Sequence, residues 1–521
     1  MLDNTTDEIG TLSSPNSIGD LNDLTDEELL DYINCWDEEE SDSQKIKEDA
    51  FQSIFETHII TDNHRLSFWL QSRTRIHHMV YVKAIVERLI SIIYIRGFYK
   101  LEDLFDYCDW VLSLSDTSTQ RGKKEQCQLT SVHHDLEPSR KAVVNFIDGC
   151  VSANVPISAR DSLAGLLAKV CNHVDTGLDN NSSDYPNVKS QLNEGLINSR
   201  SYGLKVLINF GDWVRRQVPN DTVPEVTDIL SKRIVRQAKI PLTEPEYAIL
   251  GQNFGRLYDL NPDWTSQHRK LIFPRENKSN WKCSFGSYLC YNPPMEFLMD
   301  EYDYALENLQ IFNHDNDQNE NITNLGVGVF FLYLQKVYDL TSENSLLNKF
   351  YTKTYDHPKL WKFLFVTIGQ NFIFGPVKNY KDRAVDFLNW RLEVGELQEL
   401  HNFYGWMESD CLEPSLRLNS YLKILNLRRN EHLDNFIDMR TLITLHQKEE
   451  LLVVKCLAKI AEISPPRNHF STSELRKLVS ILQASQKSNN SEIKELAKLA
   501  MENFLKSGMI NHKHFPQNEI P

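Results

Sequence analysis

Apolar residues along the chain recur at helical spacing, and almost nowhere in strict alternation. Ala384, Phe387, Leu388 and Leu392 fall at i, i+3, i+4 and i+8, one face of a helix. The stretch Lys381–Leu412 around them predicts two packed helices. One ends near His401, and a shorter one carries Phe403, Tyr404, Trp406 and Met407. Arg391 sits on the edge of the apolar face, where its stem can cover apolar surface.

Before this stretch the same period returns repeatedly. Residues 1–20 are polar and predict a frayed tail. Thr25-x-x-Glu28 is a capping-box pattern opening a short helix with Leu29, Leu30 and Ile33 on one side. Trp36–Ser43 is an acidic run of the kind that forms a solvated loop or helix end. Residues 44–114 predict three helices, the clearest being His77–Ile95 with Val82, Ile85, Val86, Leu89, Ile92 and Ile93. Ser115–Leu136 is polar and without a period. Glu137-Pro138 opens a helix striped by Ala142, Val143, Phe146 and Ile147, with proline where its missing N–H costs nothing. Ser158-x-x-Asp161 starts the next, through Leu163, Leu166, Leu167 and Val170.

Asp175–Asn187 predicts a long exposed loop. Ile197–Val218 reads as one strong helix, with Leu204, Leu207, Ile208, Gly211 and Val214 or Arg215 regularly spaced and Pro219 as its stop. Pro224–Arg236 and Pro245–Leu260 follow, then an Asn261-Pro262-Asp263 turn into a helix near Trp264. Phe273–Pro294 is less periodic and holds Trp281, Phe285, Tyr288 and Tyr291. Pro294 begins a helix with Phe297, Leu298, Tyr302 and Leu306. Asn313–Asn324 predicts a second polar loop, and Gly326–Val337 an apolar helix. Further helices are expected at Ser415–Leu427, His432–Leu445, Leu451–Glu462, Leu475–Leu482 (opened by Ser471-x-x-Glu474) and Ser491–Lys506, with Gly508 as C-terminal cap. The end, His512–Pro521, predicts a loose tail.

The sum is about twenty helices without a convincing strand. No strict repeat is present, but helix pairs of about 35–45 residues match HEAT-like or TPR-like arrays. The fold class is therefore all-α, and the favoured architecture an irregular α-solenoid of helix pairs. The expected divisions are a tail at 1–20, an N-terminal helical domain at 21–175, and a central helical-repeat region at 188–412. A C-terminal helical region at 413–508 and a loose tail at 509–521 complete the chain.

Charge narrows the functions. With 56 basic and 72 acidic residues among 521, net charge is −16, which argues against a general nucleic-acid-binding surface. The nine cysteines are scattered without a C-x-x-C pair, as expected of a reducing compartment. The N-terminus MLDNTTDEIG is too acidic and polar for a signal peptide. The most apolar window, Ala84–Tyr99, contains Glu87, Arg88 and Arg96 and is too short to span a membrane. A cytoplasmic protein is expected.

Signatures of chemistry are missing. No phosphate-binding loop, H-E-x-x-H, G-x-S-x-G or EF-hand pattern occurs. Gly326-Val-Gly328 lacks the third glycine of a dinucleotide fingerprint and is expected to serve close helix packing. Asp315-Asn-Asp317-Gln-Asn319-Glu320 alternates oxygen side chains as calcium loops do, without the turn glycine or the twelfth-position glutamate. His77-His78 and His133-His134 are adjacent pairs, poor as two-ligand sites on a helix. Cys283 and Cys290 lack evident third and fourth zinc ligands. Trp213, Trp264, Trp281, Trp361, Trp390 and Trp406 are expected chiefly in packing between helices, with interface anchoring as the alternative. Arg215-Arg216 suits the negative end of the Ile197–Val218 helix. No catalytic, cofactor-binding or metal-ligating residue is assigned, and no cofactor or small-molecule substrate is expected.

Several stretches resemble the C-terminal helical-repeat region of large bacterial anti-phage defence proteins. These are Asn198–Leu207 with Trp213-Val-Arg-Arg216, then Leu260–Trp264 with His268. Trp281 to Tyr291-Asn-Pro-Pro294, Asp382-Arg383 to Trp390-Arg391, and Gly405-Trp406 follow. Such proteins carry an N-terminal sirtuin-like, nuclease or STAND/NACHT-type NTPase module, for which this chain shows no motif. The resemblance implies a non-enzymatic scaffold or sensor that binds protein partners, recognising a viral component and controlling a separate effector. The alternative is an all-α metal-dependent nuclease or hydrolase with carboxylates dispersed in sequence.

Overall fold

Several helix starts in this chain are set by short polar side chains that accept the first free backbone N–H groups. In the computed structural model, Asp62, Asn198, Asn261, Asn277, Ser345, Ser471 and Asn490 each do so. The structure describes residues 24–34, 51–97, 100–114, 136–173, 188–235, 240–312, 320–340, 342, 345–355, 369, 371, 379–395, 397–400, 403–427, 439–463 and 470–515. Among the described residues the chain is all-helical, with 24 α-helices and no strand. It divides into two compact units, Met1–Asn292 and Pro293–Pro521.

The first unit contains α1 (Asp26–Asn34), a π-helical turn (Phe55–Ile59), α2 (Asn63–Gln71), α3 (Met79–Arg96), α4 (Leu101–Ser113), α5 (Glu137–Ser152) and α6 (Arg160–Cys171). It continues with α7 (Val188–Ile197), α8 (Ser199–Gln217), α9 (Pro224–Ile234), α10 (Glu244–Gln252), α11 (Phe254–Leu260), α12 (Pro262–Ile272) and α13 (Lys278–Tyr291). Two rows of helices run through it. In one, α3 packs on α5, α5 on α8, α8 on α10 and α10 on α13; in the other, α4 packs on α6, α6 on α9 and α9 on α12.

The second unit contains α14 (Met299–Glu307), α15 (Glu320–Leu334), α16 (Leu346–Lys353), α17 (Lys381–Val394), α18 (Leu397–Leu400) and α19 (Tyr404–Met407). It ends with α20 (Pro414–Leu427), α21 (Met439–His446), α22 (Glu450–Ile463), α23 (Thr472–Gln486) and α24 (Ser491–Lys506). Here α20 packs on α22 and α22 on α24, while α21 packs on α23.

Close approach of these helices depends on glycine at defined points. A Cβ on Gly251 of α10 would lie 1.8 Å from the carbonyl oxygen of Ser284 on α13. In α15, Gly326 meets the Phe350 ring and Gly328 the Tyr302 ring, the packing role expected of that Gly-Val-Gly sequence. Gly508 closes α24 at φ 69°, with Gly508 N–H donating to Leu505 O and Met509 N–H to Phe504 O. That pair is a Schellman motif.

Several expected boundaries move, each for a local reason. Four helical segments, not three, lie between residues 51 and 113. Ser158 does not cap α6, which is entered through a 3-10 turn, Ile157–Ala159. The single helix expected at Ile197–Val218 is two, because Asn198 terminates α7 and caps α8. Pro245–Leu260 is likewise broken at Asn253. The less periodic stretch Phe273–Pro294 contains a regular helix, α13, whose small residues Cys283, Ser284, Gly286 and Ser287 are buried alongside Trp281, Phe285 and Tyr288. Pro294 precedes a 3-10 turn, Glu296–Leu298, rather than a helix start. The polar segment Glu320–Asn324 is the first turn of α15, not loop. The helix from Lys381 stops at Val394, where Gly395 takes an extended conformation. The acidic run 36–43, the loop 175–187 and the polar stretch 115–135 lie outside the described residues. Among the described residues no helix is long and apolar enough to cross a membrane.

Candidate partner-binding face

The apolar face of α8 is buried through Leu204, Leu207, Ile208, Gly211 and Val214. Its other side carries Tyr202, Lys205, Asn209 and Asp212, half-buried at i, i+3, i+7 and i+10. Neighbouring helices supply the rest of a polar row: Lys141 and Asp148 from α5, and Arg256 from α11.

Five members of the row, Tyr202, Asp148, Asn209, Arg256 and Asp212, form one hydrogen-bonded chain. Tyr202 Oη donates to Asp148 Oδ2 at 2.7 Å, and Asn209 Nδ2 donates to Asp148 Oδ1 at 2.9 Å. Arg256 Nη2 donates to Asn209 Oδ1 at 2.9 Å, its Nε to Asp212 Oδ2 at 2.9 Å, and its Nη1 to Asn253 Oδ1 at 2.8 Å. Each group fixes the next, so side chains that could move freely in water hold one arrangement.

At one end of the row two ammonium groups share an aromatic ring. Lys141 Nζ lies 3.4 Å from the Tyr202 ring centroid and Lys205 Nζ lies 5.7 Å from it. Lys141 Nζ also donates to the carbonyl of Leu196 at the end of α7. Burial pushes the Lys141 pKa down to about 8, with Lys205 adding to the effect and Glu137 and Asp148 opposing it. Burial, then the hydrogen bond to Asp148, pushes the Tyr202 hydroxyl far up. Beside this end Leu196 is 37% exposed and Ile197 75% exposed.

Residues singled out from sequence mostly go elsewhere. Trp213, Trp281 and Trp406 are fully buried. Trp264 stacks on His268 at 4.5 Å and donates from Nε1 to Ser231 Oγ at 2.8 Å. Trp390 is half-buried against Tyr351 at 5.5 Å, and Trp361 lies outside the described residues. Arg215 serves a different helix end from the one expected. It donates to Leu260 O (2.7 Å) and Asp259 O (2.5 Å), the last carbonyls of α11, while Arg216 donates to Val151 O of α5 at 3.4 Å. His77 is exposed and His78 buried, so that pair diverges. His133-His134 and Asp315–Asn319 lie outside the described residues, and Glu320 opens α15. Among the described residues no group of three His, Cys, Asp or Glu is placed to hold a metal ion.

A shallow cleft of about 450 Å³ lies between the start of α4 and the α5–α6 connection, lined by Lys100, Asp103, Ser158 and Ser162 among others. Its lysine is already engaged by Asp103 (3.7 Å) and Ser67 Oγ (3.3 Å).

A further polar feature not evident from the sequence pattern is buried. Glu246 is fully buried; Arg200 reaches it with Nε (3.0 Å) and Nη2 (3.2 Å), and Arg233 with Nη2 (2.8 Å). Thr243 N–H and Oγ1 donate to the same carboxylate at 2.8 and 3.1 Å. The signal was present as Thr243-x-x-Glu246, a capping box before α10. No family model matches the sequence, and no curated protein is significantly similar to it.

Proposed function

We propose that the protein is a non-enzymatic α-helical scaffold or sensor that binds protein partners, using the row on α8 and the exposed Leu196–Ile197 corner beside it. The observation that carries this is the coexistence of a pre-organised polar row, an aromatic ring and an exposed apolar corner on one face. Interfaces favour this combination, because fixed side chains lose little freedom on binding. The two rows of helices in the first unit, and the matching order α20–α22–α24 and α21–α23 in the second, support an irregular solenoid of HEAT or TPR type.

The resemblance of the stretches within 198–412 to defence proteins supports a role in bacterial antiviral defence. There the chain would recognise a viral component and control a separately encoded effector in the cytoplasm. The test is affinity capture of the tagged chain from its host, with and without phage infection, read by mass spectrometry. A stable host effector and an infection-dependent viral protein, both lost in Ile197→Glu, are expected. A partnerless monomer, or antiviral protection by this chain without any effector, would overturn the proposal.

A further inference from the structure

Among the described residues, neither ammonium on Tyr202 makes an ion pair, although Glu137 and Asp148 lie near enough to favour the charge on Lys141. Among the described residues, lysines elsewhere commonly have a carboxylate: Lys349 meets Asp303 at 2.6 Å, Lys381 meets Glu413 at 2.7 Å and Lys455 meets Glu492 at 2.8 Å. Neither Lys141 nor Lys205 has a described carboxylate within salt-bridge distance. The two acids nearest to hand act on Lys141 from beyond ion-pair distance and accept their hydrogen bonds from neutral groups. Asp148 accepts one hydrogen bond on each oxygen, from Tyr202 and Asn209. Glu137 accepts from Ser199 N–H at 2.5 Å and Ser199 Oγ at 2.9 Å. Among the described residues, two half-buried cations thus share one ring with no carboxylate in ion-pair contact. The bond from Lys141 to the Leu196 carbonyl ties this cationic spot to the exposed Leu196–Ile197 corner.

We infer that Lys141 and Lys205 receive an aspartate or glutamate of a protein partner, next to an aliphatic side chain that packs on Leu196 and Ile197. This rests on the proposed protein-binding role of the face. The Tyr202 ring and the α7 carbonyl hold Lys141 in place, so an arriving carboxylate meets a positioned donor and loses little entropy in ordering it. The strongly negative chain repels extended polyanions, which favours a single acidic side chain over a nucleic-acid backbone.

The position of Lys141 adds a signature that an ordinary surface lysine lacks. Its pKa is pushed down to about 8, chiefly by burial. A carboxylate binds the ammonium and not the amine, so affinity falls as pH rises through that value. A ligand that requires this one proton binds about tenfold more weakly at pH 9 than at pH 7.

The experiment begins with a displayed library of random twelve-residue peptides selected on the full chain. Synthetic versions of the enriched peptides are then measured by fluorescence anisotropy. Expected are peptides with Asp or Glu beside Leu, Ile, Val or Met. Their affinity should fall at least tenfold on Glu→Gln in the peptide and in the double variant K141M/K205M, and about tenfold between pH 7 and 9. The double variant K141R/K205R keeps the charge and cannot titrate in this range, so it should retain binding and lose the pH dependence. Methionine preserves the apolar stems, and retained helical circular dichroism shows each variant folded. Peptides that bind equally well as Gln forms, or to K141M/K205M, overturn the acidic assignment. If Ile197→Glu still abolishes their binding, the protein-binding face itself stands. Peptides indifferent to Ile197→Glu as well, or an empty selection, overturn both. Displacement by millimolar inorganic phosphate with no response to the Glu→Gln change overturns the carboxylate in favour of a phosphorylated ligand.

Discussion

The guanidinium of Arg391 meets the carboxylate of Glu399 inside the second unit through two hydrogen bonds of 2.6 Å each, from Nε and Nη2. Both side chains are buried, and the same guanidinium lies over Tyr351 (4.0 Å) and Trp390 (4.5 Å). Glu399→Gln leaves the arginine charge buried without its partner and is expected to cost about 3–5 kcal/mol. Replacing both residues by apolar ones of similar volume is expected to be close to neutral. Urea unfolding of the single and double variants checks this; equal losses in the two would contradict it.

Gly251 and Gly165 make a matched pair. A methyl group at 251 would sit inside the Ser284 carbonyl, so Gly251→Ala must force α10 and α13 apart, costing roughly 3 kcal/mol. Nothing lies within 4 Å of a Cβ at exposed Gly165 on α6, so Gly165→Ala should stabilise by roughly 0.5–1 kcal/mol. Thermal melts of both variants should shift in opposite directions.

Helix α23 should loosen in acid. His446 Nε2 lies 2.9 Å from Ser485 Oγ near the end of α23, and burial lowers its pKa from 6.5 against the opposing charge of Glu450. His514 packs near the start of the same helix. Burial, with Arg476 and Lys513 nearby, lowers its pKa too, and its Nδ1 faces the Asn511 N–H at 2.9 Å. Both folded-state values lie below the unfolded one, so the unfolded chain binds more protons. The stabilisation is present above pH 6.5 and is lost as pH falls through the depressed values. Amide exchange in 472–486 should therefore accelerate between pH 7.5 and 5.5, after correction for intrinsic rates. H446Q/H514N, which keeps polar atoms at both positions, should abolish that change.

Thiol labelling should follow burial. Burial pushes the thiols of Cys171 and Cys456 up to about 12, and those of Cys108 and Cys150 well above the usual range. Cys290 and Cys411 are half-exposed. Iodoacetamide at pH 7.5, read by peptide mass spectrometry, should therefore modify Cys290 and Cys411 before any of the four. Early modification of Cys171 would contradict the structure.

What the sequence made legible depended on whether neighbouring residues were enough to decide. The helix Ser491–Lys506 and its Gly508 cap are found where expected, because cap, stripe and stop all lie within nineteen residues, 490 to 508. The buried face Ala384, Phe387, Leu388 and Leu392 is equally local. Helix α13 was obscured because serines, a cysteine and a glycine fill its buried sides. They are small enough for α10 to approach but score as polar. The sequence pattern makes Ile197 the first residue of a helix, whereas Asn198 takes the cap and leaves that isoleucine as the last residue of α7. None of the polar row on α8 carried a motif. Its members come from three helices up to 115 positions apart, Lys141 to Arg256, and only their packing makes them one feature.

Glu246 has a consequence for how the first unit comes apart. Its carboxylate binds Arg200 of α8, Arg233 of α9 and the Thr243 N–H that begins α10. Were any one of these segments to detach alone, it would strand a charge or an unbonded donor in an interior that excludes water. The three segments therefore open together or not at all. Their slowest amide protons should exchange with a shared free energy, in one concerted event rather than by fraying from either end.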